Sequence, residues 1–153
     1  MARARGAPPE VTVVNRQRTA RLSRVRIAAV AEFVLGRERC TPGAQVAVIL
    51  VGDAAIRALN RRWRGKDAAT DVLSFPQREG AGGLHPEVLG DVVVSVPTAL
   101  RQAREAQCCF AAEIDRLVTH GLLHLLGYEH EGDAAAARRM RRRETALRRA
   151  WRR

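Results

Sequence analysis

Residues 111–130, AAEIDRLVTHGLLHLLGYEH, form the most strongly patterned segment of the chain. Apolar side chains recur about every 3.6 residues along 111–126, which predicts an amphipathic helix packed against a core. Gly127 follows the last apolar residue and predicts the end of that helix, because glycine readily adopts the positive φ of a C-terminal turn. The segment therefore predicts a buried helix followed at once by a tight turn.

Three of the four histidines of the chain lie in this segment, at positions 120, 124 and 130. His120 and His124 are four residues apart, so a helix places them on one face with Cβ atoms about 5–6 Å apart. Two imidazoles at that separation can bind one metal ion at about 2.0–2.1 Å per bond. A turn at Gly127 can return His130 as a third ligand. Three protein ligands leave one tetrahedral position for water, so the spacing predicts one catalytic zinc ion per chain.

Two other interpretations of the histidines remain open. They can be a cluster of ordinary core or surface residues. The spacing H-x-x-x-H-x-x-G-x-x-H is also that of zinc peptidases, which place a glutamate directly after the first histidine as general base. Gly121 stands at that position here and cannot transfer a proton, which disfavours a peptidase. His85, in a glycine-rich stretch, is expected to be an ordinary loop residue.

Outside this segment, the pattern predicts a small sheet surrounded by helices. Strands are predicted at residues 11–14, 45–51, 70–75 and 89–96. Helices are predicted at residues 18–35, 53–65, 97–107 and 111–126, with a last one from Asp133 onward. Asp53 and Asp133 are the expected N-caps. We predict a single α+β domain over residues 1–153, in which a small mixed sheet packs with four to five helices and a zincin-like helix carries the metal ligands.

The composition is that of a globular protein. The chain has 153 residues, of which 46% are hydrophobic and 28% charged, which excludes a disordered or collagen-like chain. No apolar stretch approaches the roughly 18–20 residues of a membrane span, and no secretory signal is visible. Cys40, Cys108 and Cys109 form neither a disulfide framework nor a C-x-x-C pair, and we expect them to be small buried residues. A reducing cytoplasm is the simplest compartment for such a chain.

The formal net charge is +11, and it is concentrated near the C-terminus. Lys66 is the single lysine, so nearly all basic residues are arginines. Residues 138–153 contain nine arginines and one acid, Glu144. A basic segment of this kind, at about 133–153, is typical of a protein that binds a polyanion such as nucleic acid. The alternative is a solvated helix face that is rich in arginine.

Residues 120–130 resemble the signature of the YbeY family, metal-dependent single-strand endoribonucleases of bacteria. The family pattern H-G-x-L-H-L-x-G-Y-D-H is matched except at Glu129, where the family usually has aspartate. Residues 59–76, LNRRWRGKDAATDVLSFP, resemble the family block L-N-x-x-Y/W-R-x-K-D-x-x-T-D-V-L-S-F-P. Residues 89–91 resemble its L-G-D strand start. The three matches occur in family order and span about half of the chain.

This resemblance implies a zinc-dependent endoribonuclease that acts in maturation of ribosomal RNA, notably at the 3′ end of the small-subunit RNA, and in ribosome quality control. It implies zinc bound by His120, His124 and His130, and it places the family's catalytic arginine at Arg64. The implied partners are ribosomal RNA and the small subunit, with ribosomal proteins or assembly GTPases as further candidates. A metalloprotease-like hydrolase and a non-catalytic, zinc-containing assembly factor are the alternatives.

A guanidinium suits the proposed chemistry, because its parallel donors match the oxygens of a phosphodiester as negative charge builds on them. Arg64 is therefore predicted to bind the phosphate as well. Lys66 is predicted as a second contact to RNA, with an ordinary loop charge as the alternative. Asp71 is expected to cap or orient, and Trp63 either stacks on an unpaired base or belongs to the core. Whether water or the ribose 2′-hydroxyl attacks stays open.

Overall fold

The structure is a computed structural model that describes residues 6–77, 85–129 and 131–153. Within these ranges the chain forms four strands and five helices. In chain order they are β1 (Glu10–Asn15), α1 (Arg24–Arg37), β2 (Gln45–Val51), α2 (Asp53–Arg64), β3 (Val72–Pro76), β4 (Val88–Ser95), α3 (Val96–Glu105), α4 (Phe110–Leu125) and α5 (Ala134–Trp151). The described helices include none with the length and apolar character needed to cross a membrane.

The strands form one mixed sheet in the order β1-β2-β4-β3. β1, β2 and β4 run parallel, and β3 pairs antiparallel with β4, with Leu73 opposite Val93. The predicted α+β fold with a small mixed sheet and surrounding helices is therefore confirmed. β3 is an edge strand, and its outer side pairs with no other strand in the described part of the chain.

The two faces of the sheet bury different cores. Side chains alternate along a strand, so Val46, Val48 and Leu50 of β2 point into the main core, which α1, α3, α4 and α5 cover. Val51 points the other way, into a smaller cluster built around Ile56 of α2. One face of the sheet is thus deeply covered, while α2 covers only part of the other.

Helix α4 lies unusually close to the sheet because of Gly121. A Cβ atom at this position would lie 2.5 Å from Cγ1 of Val92 and 3.2 Å from Cγ2 of Val72. The Ser74 hydroxyl of β3 also donates a hydrogen bond to the Gly121 carbonyl, over 2.8 Å. A glycine is needed here for close approach between helix and sheet, and this contact fixes α4 against the edge strand.

Replacing Gly121 with alanine is expected to lower the free energy of unfolding by about 1–3 kcal/mol, because the added methyl overpacks the contact with Val92. Gly36→Ala is the matched control, since a Cβ atom there meets nothing within 4 Å. Alanine is the better helix former, so this control is expected to raise stability by about 0.5–1 kcal/mol. Urea unfolding measures both, and equal stability of the two variants would contradict the close-approach argument.

Two predicted helix starts differ from the structure. The helix predicted from residue 18 begins at Arg24, because the Gln17 side chain accepts hydrogen bonds from the backbone N–H groups of residues 19 and 20 and holds them in a turn. Ser23 then caps the helix. The prediction of Asp53 as an N-cap is wrong, since Gly52 occupies that position. The predicted cap at Asp133 is confirmed by its hydrogen bond from the Ala135 N–H.

Asp53 is instead bonded to the start of another helix. Its carboxylate accepts hydrogen bonds from Ser95 and Thr98, each over 2.6 Å, and from Arg101 over 2.8 Å. Burial alone would raise its pKa, but these three hydrogen bonds outweigh burial and lower the pKa of Asp53. The carboxylate therefore joins α2 to α3 rather than capping its own helix.

The expectation that the cysteines are buried is wrong for two of them. Cys108 and Cys109 are exposed, because they lie in the short connection between α3 and α4, where the chain crosses the surface. Cys40 is half-buried beside the main core. None of the three forms a disulfide bond within the described residues.

Candidate functional site

A cleft of 380 Å³ opens beside the outer side of the edge strand β3. It is lined by Arg64, residues 70–74, Pro76, His120, His124, Glu129 and Glu131. The end of α2, strand β3 and the second half of α4 each contribute a wall. The fold thus brings Arg64 together with His120 and His124, which are more than fifty residues away in sequence.

The imidazole rings of His120 and His124 lie next to each other on α4, as the spacing predicts. Their Nε2 atoms are 3.2 Å apart, and the ring centroids are 4.7 Å apart. Two ligands of one tetrahedral zinc ion, each at about 2.05 Å, lie about 3.3 Å from one another. Helix α4 therefore holds these two nitrogens at the separation that a single zinc ion requires.

Glu144 of α5 orients the first of these histidines. Its Oε2 atom lies 3.0 Å from Nδ1 of His120. When Nδ1 carries the proton, it donates a hydrogen bond to this carboxylate, and the Nε2 lone pair is then directed at the cleft. A carboxylate behind a ligand histidine also raises the basicity of the ring and fixes its rotation. The contact between His120 and Glu144 is thus compatible with the predicted role of His120 as a metal ligand.

Sequence reasoning missed Glu144, which appeared only as the one acid in a basic segment. The helical spacing of Glu144 relative to the apolar residues of α5 could have identified it. Met140 and Leu147 are buried core residues, and position 144 lies between them on the same helical face. An acid on the apolar face of a helix needs a buried partner, and here the partner is His120.

His130, the third predicted ligand, lies outside the described residues, so its role stays a prediction. Within the described ranges, no three histidine, cysteine or acidic side chains form a group that could hold a metal. The turn that precedes His130 is described. Gly127 has φ +94°, and its N–H donates to the His124 carbonyl over 3.0 Å. The predicted positive φ at Gly127 is confirmed.

Tyr128 anchors this turn to two helices. Its hydroxyl donates a hydrogen bond over 2.9 Å to Glu38, at the end of α1, and Arg143 of α5 pairs with the same carboxylate. Burial raises the pKa of Tyr128, and the contact with Glu38 raises it further. The chain immediately before His130 is therefore fixed by contacts far from it in sequence.

Arg64 lies at the mouth of the cleft, in an ion pair with Glu131 over 3.1 Å. Both side chains are substantially exposed, so water competes for the pair and it contributes little to stability. Asp67, a carboxylate three residues after Arg64 in the sequence, pairs with Arg57 over 2.9 Å and not with Arg64. The Arg64 guanidinium is thus held beside the histidines by a contact that an anionic ligand can displace.

The other residues singled out from the sequence, Lys66, Asp71 and His85, lie in three different surroundings. Lys66 is exposed and lies outside the described lining of the cleft. Asp71 accepts a hydrogen bond over 2.8 Å from the Val72 N–H at the start of β3, which fits the expected orienting role. His85 is an exposed residue 3.1 Å from Glu87, as expected of a loop histidine.

Comparisons with known proteins show the family to which the chain belongs. The family model described as "Endoribonuclease YbeY" matches residues 12–152. A protein named endoribonuclease YbeY from Syntrophotalea carbinolica is 42% identical over 139 residues, which cover 90% of this chain and 92% of that protein. The relative of that name from Geobacter sulfurreducens is 42% identical over 140 residues, covering 90% and 93%.

Two further matches differ in coverage. An endoribonuclease YbeY from Anaeromyxobacter sp. (strain Fw109-5) is 59% identical over 107 residues, which span 70% of this chain but 54% of that longer relative. The solution structure of TM1509 from Thermotoga maritima superposes with a TM-score of 0.63 at 28% identity, covering 90% of this chain and 86% of that one. The fold is thus similar to that of TM1509, and the chain belongs to the endoribonuclease YbeY family.

Proposed function

We propose that this chain is a zinc-dependent endoribonuclease of single-stranded RNA. In the cell it would act in maturation of the 3′ end of small-subunit ribosomal RNA and in ribosome quality control. The observation that carries the proposal is the cleft in which two imidazole nitrogens, 3.2 Å apart, lie beside the Arg64 guanidinium. Membership in the endoribonuclease YbeY family supports the same reaction.

The donor set fits zinc, since neutral imidazole nitrogens are preferred ligands and Glu144 supports the first of them. His120, His124 and His130 would hold the ion. When bound, it would polarise a phosphoryl oxygen or lower the pKa of a coordinated water. Arg64 binds the phosphate oxygens with parallel N–H donors as their negative charge increases, exchanging its contact with Glu131 for the substrate.

The basic helix α5 supports a polyanionic substrate. Arg143 and Arg148 pair with Glu38 and Glu144. The other arginines between residues 138 and 153 make no ion pair within the described parts of the chain. Such charges give affinity for the RNA backbone that is independent of sequence and falls as salt rises. We propose ribosomal RNA and the small subunit as partners, with ribosomal proteins or assembly GTPases as further ones, and a cytoplasmic location.

A chelator experiment tests the proposal against its alternatives. Zinc-loaded protein is expected to cleave single-stranded ribosomal RNA fragments, to lose this activity in a chelator, and to regain it when zinc is returned. A casein substrate is expected to stay intact, because Gly121 supplies no general base. RNA that is bound but never cleaved, with or without zinc, would indicate the non-catalytic assembly factor instead.

Glu144→Gln is expected to weaken zinc binding about 10–100-fold, the range typical for loss of an outer-shell partner. The amide keeps the shape of the side chain but removes the negative charge behind His120. Competition with a chelating dye measures the affinity, and Glu105→Gln, an exposed acid at the end of α3, is the control. An unchanged affinity would show that Glu144 is only a structural partner of the ring.

A further inference from the structure

Trp63 is exposed, which the core-packing alternative did not anticipate. It lies on α2 directly before Arg64, with 62% of its surface accessible. Among the described residues, Val25 and Trp63 are the large hydrophobic side chains left exposed. The core-packing interpretation of Trp63 is therefore wrong, and the position of this ring needs another explanation.

The ring is held in place despite its exposure. It packs edge-on against Phe75 of β3, with centroids 6.4 Å apart and an angle of 69° between the planes. The Arg62 guanidinium lies 5.1 Å from the ring centroid. Stacking with a base is stronger than such an exposed cation–π contact, so a base can take the place of Arg62 and free its charge for a phosphate.

A broad apolar groove lies beside this ring, on the face of the sheet that α2 covers only in part. Its volume is 850 Å³. The apolar lining includes Ile49, Leu59, Trp63, Phe75 and Val93, while Arg16, Arg62 and Asp91 are its charged members. Apolar and aromatic walls with arginines among them are typical of surfaces that bind unpaired bases while neutralising the backbone.

The groove adjoins the cleft at the end of the edge strand. Pro76, at the end of β3, lines both. Trp63 and Arg64 are neighbours on α2, so their Cα atoms are about 3.8 Å apart. An RNA strand whose phosphate is bound at Arg64 can therefore reach the Trp63 ring with a neighbouring nucleotide by passing over the end of β3.

We propose that Trp63 and the adjacent groove bind an unpaired nucleobase of the RNA strand, next to the phosphate that Arg64 holds. This inference rests on the proposed ribonuclease function and specifies how the same site selects a single strand. In a duplex the bases are stacked and paired, so none is available to the tryptophan ring. An unpaired strand can turn one base into the groove.

Tryptophan fluorescence tests the proposal directly, because the chain contains two tryptophans. Trp151→Phe leaves Trp63 as the reporter, while a phenylalanine retains an aromatic ring against Phe33. Adding an oligonucleotide with 2′-O-methyl riboses and phosphorothioate linkages, which slow attack by either the ribose hydroxyl or water, is expected to quench the Trp63 emission. An abasic oligonucleotide of equal length and charge is expected to leave it unchanged. Equal quenching by both would overturn the proposal.

The oligonucleotide-binding affinities of Trp63 variants provide a second test of the proposal. Trp63→Ala is expected to weaken binding of the base-containing oligonucleotide on the order of 5- to 150-fold, the range for loss of one base–aromatic stack. Binding of the abasic strand should not change, and Trp63→Phe should retain most of the affinity. Val25→Ala, which removes the other exposed apolar side chain, is the control. Unchanged affinity in Trp63→Ala would overturn the base site and leave a protein segment as the occupant of the groove.

The two proposals fail in different ways. If the zinc-loaded wild type cleaves RNA while Trp63→Ala binds it as tightly as the wild type, only the base site is wrong. If Trp63 is quenched by bases yet no RNA is cleaved, the base site stands and the nuclease proposal is wrong. Should Trp63→Ala fail to fold, the fluorescence of the Trp151→Phe variant still decides, because equal quenching by the base-containing and abasic strands overturns the base site.

Discussion

His124→Ala is expected to reduce bound zinc far below one ion per chain and to abolish RNA cleavage. His124 shares the cleft with His120, with the two Nε2 atoms 3.2 Å apart, so its removal takes away one of the paired nitrogens. The loss of a direct ligand should exceed the about 10–100-fold effect expected for an outer-shell partner such as Glu144. Metal content measured by elemental analysis, together with the cleavage rate, checks this prediction.

His85→Ala is the matched control for that experiment. His85 is exposed and contacts Glu87, so its replacement should leave both zinc content and cleavage unchanged. The melting temperature of metal-free His124→Ala should stay close to that of the metal-free wild type if the side chain serves the metal. Stoichiometric zinc in His124→Ala would mean that the metal site is built from other residues.

Arg64→Ala is expected to slow RNA cleavage by on the order of 10²–10³, with zinc content and melting temperature unchanged. The magnitude is that of removing one positioned donor from a developing anion. Among the described residues that line the cleft, Arg64 is the one arginine or lysine. No neighbouring side chain therefore replaces the positive charge that the substitution removes. Arg64→Lys should restore activity only in part, because an ammonium lacks the planar pair of donors.

Arg57→Ala separates this effect from a general loss of surface charge. Arg57 lies on the same helix as Arg64 and also forms an exposed ion pair, with Asp67. It does not line the cleft, so its replacement should leave the cleavage rate unchanged. If Arg64→Ala instead melts earlier and cleaves normally per folded molecule, Arg64 is a structural residue and the catalytic assignment is wrong.

The parts of the fold that follow from local pattern were predictable. The helix predicted over 111–126 is observed at Phe110–Leu125, and the strand predicted at 45–51 is observed with the same bounds. The facing histidine rings follow from helical geometry alone, and the turn at Gly127 follows from the one residue that tolerates a positive φ cheaply.

The parts that depend on distant partners were not predictable. Asp53 is a residue type that often caps helices, but its carboxylate instead accepts hydrogen bonds from Ser95 and Thr98 at the start of α3. Glu144 looked like an isolated acid among arginines until the fold placed it behind His120. Tryptophan is a residue type that is common in protein cores. Trp63 is nevertheless exposed, because α2 covers only part of this face of the sheet.

The close contact at Gly121 also limits which enzymes this scaffold can become. A zinc peptidase needs a glutamate at that position, yet a side chain there would point at Val92 and Val72 inside the protein rather than at a substrate. Making room would require α4 to move off the sheet, and that motion would carry His120 and His124 with it. A redesign towards peptide hydrolysis would have to start by shortening the valines of β3 and β4, so one substitution in the motif cannot convert one activity into the other.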